Sequence, residues 1–119
     1  MAERIAGVCY VKLDGIQFSL RGGWKVQPNE FKNEFIVGQD GPHGYKRMPI
    51  APYMEGEISD RGGLSVKALQ DITGSTLTAE LANGKVYVLS DAVYAGDAAI
   101  ETEDGKLQVR FEGAYCREI

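Results

Sequence analysis

The chain has 119 residues, 44% of them apolar and 25% charged, with a formal net charge of −4 and a pI near 5.0. Those figures describe a single globular domain, 1–119, with no room for a linker and a second core. No apolar run approaches a membrane span. The scattered Lys and Arg lack the clustering that displaces counterions from phosphates, which argues against a nucleic-acid-binding surface.

The first fifteen residues, MAERIAGVCYVKLDG, put a glutamate and an arginine ahead of a short alternating run. They show neither the continuous apolar core nor the small-residue cleavage site of a signal peptide, so the expected compartment is the cytoplasm. Two alternating runs, Val8 to Leu13 and Ile16 to Leu20, flank Asp14-Gly15. Asp-Gly between such runs predicts a tight hairpin, whose type I′ turn demands positive φ at both central residues. Gly22-Gly23 closes the second strand, and KVQP and EFIVG suggest further strand pieces.

A long loop is expected over 38–53, rich in Gly and Pro and holding the only histidine, His43. Alternation resumes at Tyr53, with Met54, Gly56 and Ile58 on one face and Glu55 and Glu57 on the other. After the break at DRGG, Leu64, Ala68, Leu69 and Ile72 recur at helical spacing. They predict one short helix over about residues 65–73, capped by Ser65, stopped at Gly74 and packed on a sheet through one stripe. The rest reads as strands. Ser75 to Leu81 turns at Asn83-Gly84 into Lys85 to Tyr94; Ala95-Gly96-Asp97 leads to AAIETE; and Asp104-Gly105 turns into Lys106 to Tyr115. In the last strand Leu107, Val109 and Phe111 face one way and Gln108, Arg110 and Glu112 the other, as in a sheet with one wet face. The expected fold is mainly β: a small antiparallel β-sandwich or barrel with one flanking α-helix at about 65–73 and a long loop at 38–53.

Little in the chain carries catalytic chemistry. His43 has no serine in a G-x-S-x-G elbow to activate, and it has no second histidine at ligand spacing. Glu55/Glu57 and Glu101/Glu103 each share a strand face, which is the pattern of a solvated surface more often than of a paired-carboxylate site. Neither GPHG nor DRGG forms a strand-to-helix phosphate cradle. No catalytic residue, metal or cofactor is expected, and the chain is not read as an enzyme. Cys9 and Cys116, near opposite ends, read as half-buried thiols in a reducing compartment, and their spacing leaves pairing open.

The 38–53 segment reads best as a contact element. Pro42, Pro49 and Pro52 restrict its backbone and lower the entropy lost on docking. Tyr45, Met48, Ile50 and Tyr53 beside Lys46 and Arg47 have the composition of an interface core.

Four segments in order, AGVCYVKLDG, GQDGPHGYKRMPIAPYMEGEISD, LANGKVYVLSDA and EDGKLQVRFEG, resemble the tail tube proteins of Mu-like contractile-tailed bacteriophages over essentially the whole chain. The resemblance implies a structural virion protein, assembled in the host bacterial cytoplasm. Its hexameric rings stack head to tail into the inner tube of the tail, the conduit for DNA ejection. It further implies as partners other copies of itself, the tail sheath protein, the tape-measure protein, the baseplate and the tail terminator, with DNA passing through unbound. Related tubes occur in contractile bacteriocins and type VI secretion devices, and an intact phage, a prophage remnant and a bacteriocin are equally compatible sources. The loop becomes the expected inter-ring contact, through Tyr45, Lys46, Arg47, Met48 and Tyr53, with Pro49 and Pro52 holding its shape. Arg47 departs from the family pattern, where this position is often acidic, and so alters the charge pairing with a neighbour. Glu55, Glu57, Gln108, Arg110 and Glu112 form a polar face that looks either into the lumen or toward the sheath. The main alternative is a small β-barrel binding module that uses Trp24, Tyr45 and Tyr53 as stacking platforms. It would need a basic groove to hold nucleic acid. A small hydrolase ranks last.

Overall fold

A computed structural model of the chain describes residues 9–60, 65–97 and 99–119. Most alternating runs become strands, but the expected run Ile16 to Leu20 breaks at Phe18 and Ser19. Gly22-Gly23 lie inside the strand Leu20–Gln27 and do not close one, and the expected strand Lys106 to Tyr115 ends at Glu112. The first hairpin joins β1 (Cys9–Leu13) to β2 (Ile16–Gln17). Asp14 and Gly15 turn it at φ 49° and 90°, the positive values that a type I′ turn requires. Next come β3 (Leu20–Gln27), β4 (Phe31–Gly38), β5 (Gly41–Pro49), β6 (Tyr53–Ser59) and the helical turn α1 (Val66–Leu69). The C-terminal part holds β7 (Ser75–Leu81), β8 (Val86–Tyr94), β9 (Ile100–Glu101), β10 (Lys106–Glu112) and β11 (Tyr115–Glu118).

All but two of these strands join one antiparallel sheet in the order β2-β1-β7-β8-β10-β6-β3, with β11 on β8 and β9 on β10. The sheet curls into a nearly closed barrel. β8 makes the corner. Its first part pairs with β7 and β11, and its end, at Val93 and Tyr94, pairs with β10. A register shift opposite Ser75–Leu77 puts an extra residue in β8, and there Asp91 takes φ 56°. Such a bulge bends a strand so that it can serve both walls.

The inward phase of β1, β6, β7, β8 and β10 fills the core: Val11 and Leu13, Met54 and Ile58, Leu77 and Ala79, Leu89 and Ala92, Leu107, Val109 and Phe111. Phe111 lies at the centre, stacked on Phe18 at 6.1 Å and meeting Tyr94 edge-on at 5.3 Å between ring centroids. The alternations expected in β6 and β10 hold: Met54, Ile58, Leu107, Val109 and Phe111 are buried, while Glu55, Glu57, Gln108, Arg110 and Glu112 keep access to solvent.

The helix and the long loop differ more. The helix of about 65–73 is a single turn, Val66–Leu69. Ser65 precedes it in extended conformation (φ −89°, ψ 105°) with no side-chain capping bond, and of the expected stripe only Leu69 is fully buried. Leu64 falls outside the described residues. So short a segment, with no side-chain capping bond and, among the described residues of the stripe, only Leu69 fully buried, cannot offset the cost of helix nucleation beyond a turn. The long loop at 38–53 is likewise no loop over most of its length. Residues 41–49 form β5, which pairs with β4 from Phe31↔Pro49 to Gly38↔Gly41 as a separate two-stranded ribbon. Its prolines suggested irregular chain, but a two-stranded ribbon consists only of edge strands. Pro42 falls at its register shift and Pro49 at its end, where a missing N–H is tolerated.

Candidate docking arm and polar sheet face

The β4–β5 ribbon projects as an arm. At its base the Ile50 N–H donates to the Glu30 carbonyl at 2.9 Å, and Gln27 Nε2 donates to the Ala51 carbonyl at 3.4 Å. Residues directly opposite in an antiparallel pair share a face. One face of the arm therefore carries Phe31, Asn33, Phe35 and Val37 from β4 with Tyr45, Arg47 and Pro49 from β5. Phe35 and Tyr45 meet edge to face at 6.2 Å. The Arg47 guanidinium covers the Phe31 ring at 5.3 Å, and its Nε donates to Asn33 Oδ1 at 3.2 Å. The other face carries Lys32, Glu34 and Ile36 with Lys46 and Met48, and Lys46 reaches Glu34 at 4.0 Å.

The aromatic face is uncovered: Phe35 is 68% exposed, Val37 70%, Tyr45 60% and Phe31 53%. At the tip His43 Nε2 hydrogen-bonds Asp40 Oδ1 at 2.6 Å. That bond, followed by one from the backbone, holds the Asp40 carboxyl below its ordinary range. The imidazole packs so closely on Gly38 that a Cβ there would overlap it.

Of the residues expected to make contacts, Tyr45, Lys46, Arg47, Met48 and Pro49 lie on the arm, split between its two faces. Pro52 and Tyr53 lie off it. Pro52 is fully buried at the base, and Tyr53 opens β6 with its ring 4.0 Å beneath the Arg110 guanidinium. The β4 half of the aromatic face, Phe31, Phe35 and Val37, was not among the candidates. Its signal is the two-residue period of apolar residues through FKNEFIV, which the turn residues of the following segment overshadow.

The polar face of β6 and β10 gathers all five residues expected there, through the register Glu57↔Gln108, Glu55↔Arg110 and Tyr53↔Glu112. Lys25 of β3 joins them opposite Glu55. Arg110 is clamped: Nη1 donates to Glu55 Oε2 at 2.8 Å, Nη2 to Glu112 Oε1 at 3.1 Å and Nε to the same oxygen at 3.4 Å. Partial desolvation opposes its charge, but the hydrogen bonds and attraction from Glu112 and Glu55 outweigh it and push the guanidinium pKa up. Lys106 lies between Glu57 at 3.7 Å and Glu101 at 3.6 Å, and Gln108 Nε2 reaches Glu57 at 3.5 Å. Lys25 touches Glu55 only at 3.9 Å and is 78% exposed. The open groove over this face, about 460 Å³, continues to Gly96 and Asp97.

Trp24, named as a stacking platform in the binding-module alternative, instead packs inward over Gly56 and against the core. Cys9 and Cys116 are free thiols, on β1 and β11. β7 and β8 lie between those strands, so three strand spacings, about 14 Å, separate them, twice the reach of a disulfide.

Comparison with known proteins gives this curled antiparallel sheet and its apolar arm a family. The family model described as phage tail tube protein matches residues 2–118. The chain belongs to the phage tail tube protein family. A curated relative, the Mu-like prophage FluMu tail tube protein of Haemophilus influenzae, is 23% identical over 119 residues, covering 100% of this chain and 99% of its own. Among solved structures, a chain of the anti-feeding prophage cap (the AFP tube-terminating cap) superposes with a TM-score of 0.67 at 12% identity, covering 100% of this chain and 93% of that one. A chain from the PVC sheath/tube terminator of an extracellular contractile injection system, in its extended state, gives 0.68 at 9% identity, covering 100% and 99%. At such identities those two likenesses concern the fold. This tail tube family member is thus a structural component of a phage-type virion tail and not an enzyme.

Proposed function

We propose that the chain is the ring-forming subunit of an inner tail tube: six copies close a ring, rings stack head to tail, and the resulting lumen conducts DNA during ejection. The β4–β5 arm carries this reading. An exposed face of three apolar β4 side chains and Tyr45, held out on a ribbon that pairs only with itself, suits insertion against another copy. Stacking of this kind joins unlike surfaces and does not close, so it produces a filament. Tyr45, Lys46, Arg47, Met48 and Pro49 act on the β5 side of the contact, and Pro52 and Tyr53 anchor its base. The family relation and the tube-terminator folds favour sheath, tape-measure, baseplate and terminator proteins as partners, with assembly in the host cytoplasm.

The polar face of Glu55, Glu57, Gln108, Arg110 and Glu112 lines the lumen in this proposal. Its carboxylates, with Asp97 and Glu101 at the margin, outnumber Lys25, Lys106 and Arg110. A surface so charged lets polyanionic DNA pass without holding it.

The test is negative-stain electron microscopy over a concentration series, with a variant in which residues 31–49 are replaced by a short glycine turn. The Glu30–Ile50 hydrogen bond already brings the two ends together. Hollow rings or tubes from the parent, with stacking lost in the folded variant, are expected. Normal tubes from the armless chain would remove the arm from the proposal. A parent that stayed monomeric at every concentration, even with preformed tube ends added, would remove the ring.

A further inference from the structure

The cations of the β3–β6–β10 face are unusual in how completely two of them are occupied. Every nitrogen of Arg110 donates to a carboxylate of its own chain, and one side of its plane is covered by the Tyr53 ring at 4.0 Å. A guanidinium normally recognises phosphate by the same in-plane fork that Glu55 and Glu112 take up here. Lys106 has a carboxylate on either side and a side chain only 26% exposed. Lys25 is the loose member, exposed and 3.9 Å from Glu55. Glu55, Glu57 and Glu101 belong to neighbouring strands held in fixed register, and Glu112 lies two residues along β10 on the same face, so the occupancy is built into the sheet and does not depend on chance surface pairing.

We propose that Glu55 and Glu112 are phosphate-masking residues: they hold Arg110 away from nucleic-acid phosphates, and the absence of DNA retention on this face depends on them. Glu57 and Glu101 do the same for Lys106. This deepens the conduit reading, because a repeated free arginine in each ring would otherwise present a ladder of phosphate sites along the lumen. Neutralising Glu55 and Glu112 leaves the strands and their apolar sides unchanged while freeing the guanidinium fork.

The masking is a property of one subunit, so it is tested on the isolated protein with a fluorescent single-stranded oligonucleotide at low and moderate salt. Glu55→Gln combined with Glu112→Gln is expected to bind at least about tenfold more tightly than the parent at low salt, with the gain falling as salt rises. Adding Arg110→Gln should abolish the gain. The control Asp71→Asn with Asp91→Asn makes the same change in net charge away from this face, and should produce a much smaller effect. A gain equal to the control's, or one that survives Arg110→Gln, overturns the proposal. So does unchanged binding in a double variant whose thermal unfolding matches the parent, and Glu112→Gln alone gives a milder second measurement. Where the face points is decided separately. In assembled tubes Gln108→Cys, made with Cys9→Ser and Cys116→Ser, should react with a small maleimide and resist one too large for the lumen. Equal labelling by both would overturn the lumen placement while leaving the oligonucleotide result to judge the masking.

Discussion

Gly113 shows how a single position can fix the path of the chain. Between β10 and β11 its N–H donates to the Pro52 carbonyl at 3.0 Å, and the next N–H, of Ala114, donates to the Ser90 carbonyl at 3.0 Å. A Cβ on Gly113 would stand 2.7 Å from that Ser90 oxygen and 2.8 Å from Leu89 Cδ1. Backbone cannot step aside as a flexible side chain can. Gly113→Ala should therefore destabilise the subunit by about 1–3 kcal/mol, the range for overpacked sites, as read by urea unfolding. A midpoint equal to the parent's would show that the strand junction is looser than described. The two thiols make a second prediction at this scale. Burial, with Glu80 near Cys9 and Glu30 near Cys116, raises both thiol pKa values above their ordinary range. A raised folded-state value favours the protonated form, so this contribution is complete below the unfolded thiol range and is lost as pH climbs through the raised values. At pH 8 both should label with a thiolate-specific reagent at least about tenfold more slowly in the native protein than in urea. Equal rates would contradict the half-buried placement.

At the scale of elements, the arm and the barrel answer to different forces. The arm's side chains take no part in the buried core, and its cross-strand pairs contribute about 0.2–1 kcal/mol each to the ribbon alone. Phe35→Ser with Val37→Ser should leave global unfolding within about 0.5 kcal/mol of the parent, as for other surface changes. The same pair should raise the concentration needed for assembly at least tenfold, since exposed apolar anchors carry most of an interface's energy. A large loss of subunit stability would mean that the arm folds back on its own barrel. Phe111→Ala is the contrasting case. Between Phe18 and Tyr94 it should cost about 3–5 kcal/mol by thermal or urea unfolding, with the arm untouched.

Across the whole molecule the shape is extended. The Cα radius of gyration is 17.2 Å, with principal extents of 60 × 43 × 29 Å. A compact chain of this length would have a radius of about 13.5 Å. Small-angle scattering of dilute subunits should therefore exceed the compact value by several ångströms, and the armless variant should fall to roughly 13 Å. A compact parent would place the arm against the barrel in solution.

What the sequence by itself determined is local. Period-two alternation, as in LQVRF, separates a wet from a dry face through the pleat, whatever the neighbours. Asp14-Gly15 reverses the chain because the turn's positive φ values suit those residue types. The ordered segments also carried the family resemblance that the 2–118 match bears out. Only the tertiary structure decided which strands meet. Arg110 and Glu55 lie far apart in sequence and become partners through the β6–β10 register, which no local pattern contains. Residues 41–49 looked like loop because Pro and Gly break local propensity. They form a strand because β4 lies opposite and the ribbon has only edges on which those prolines can be tolerated. The helix is short for the converse reason: its residues have helical spacing, but among the described residues of the expected stripe tertiary packing fully buries only Leu69, and one turn is all that such support sustains.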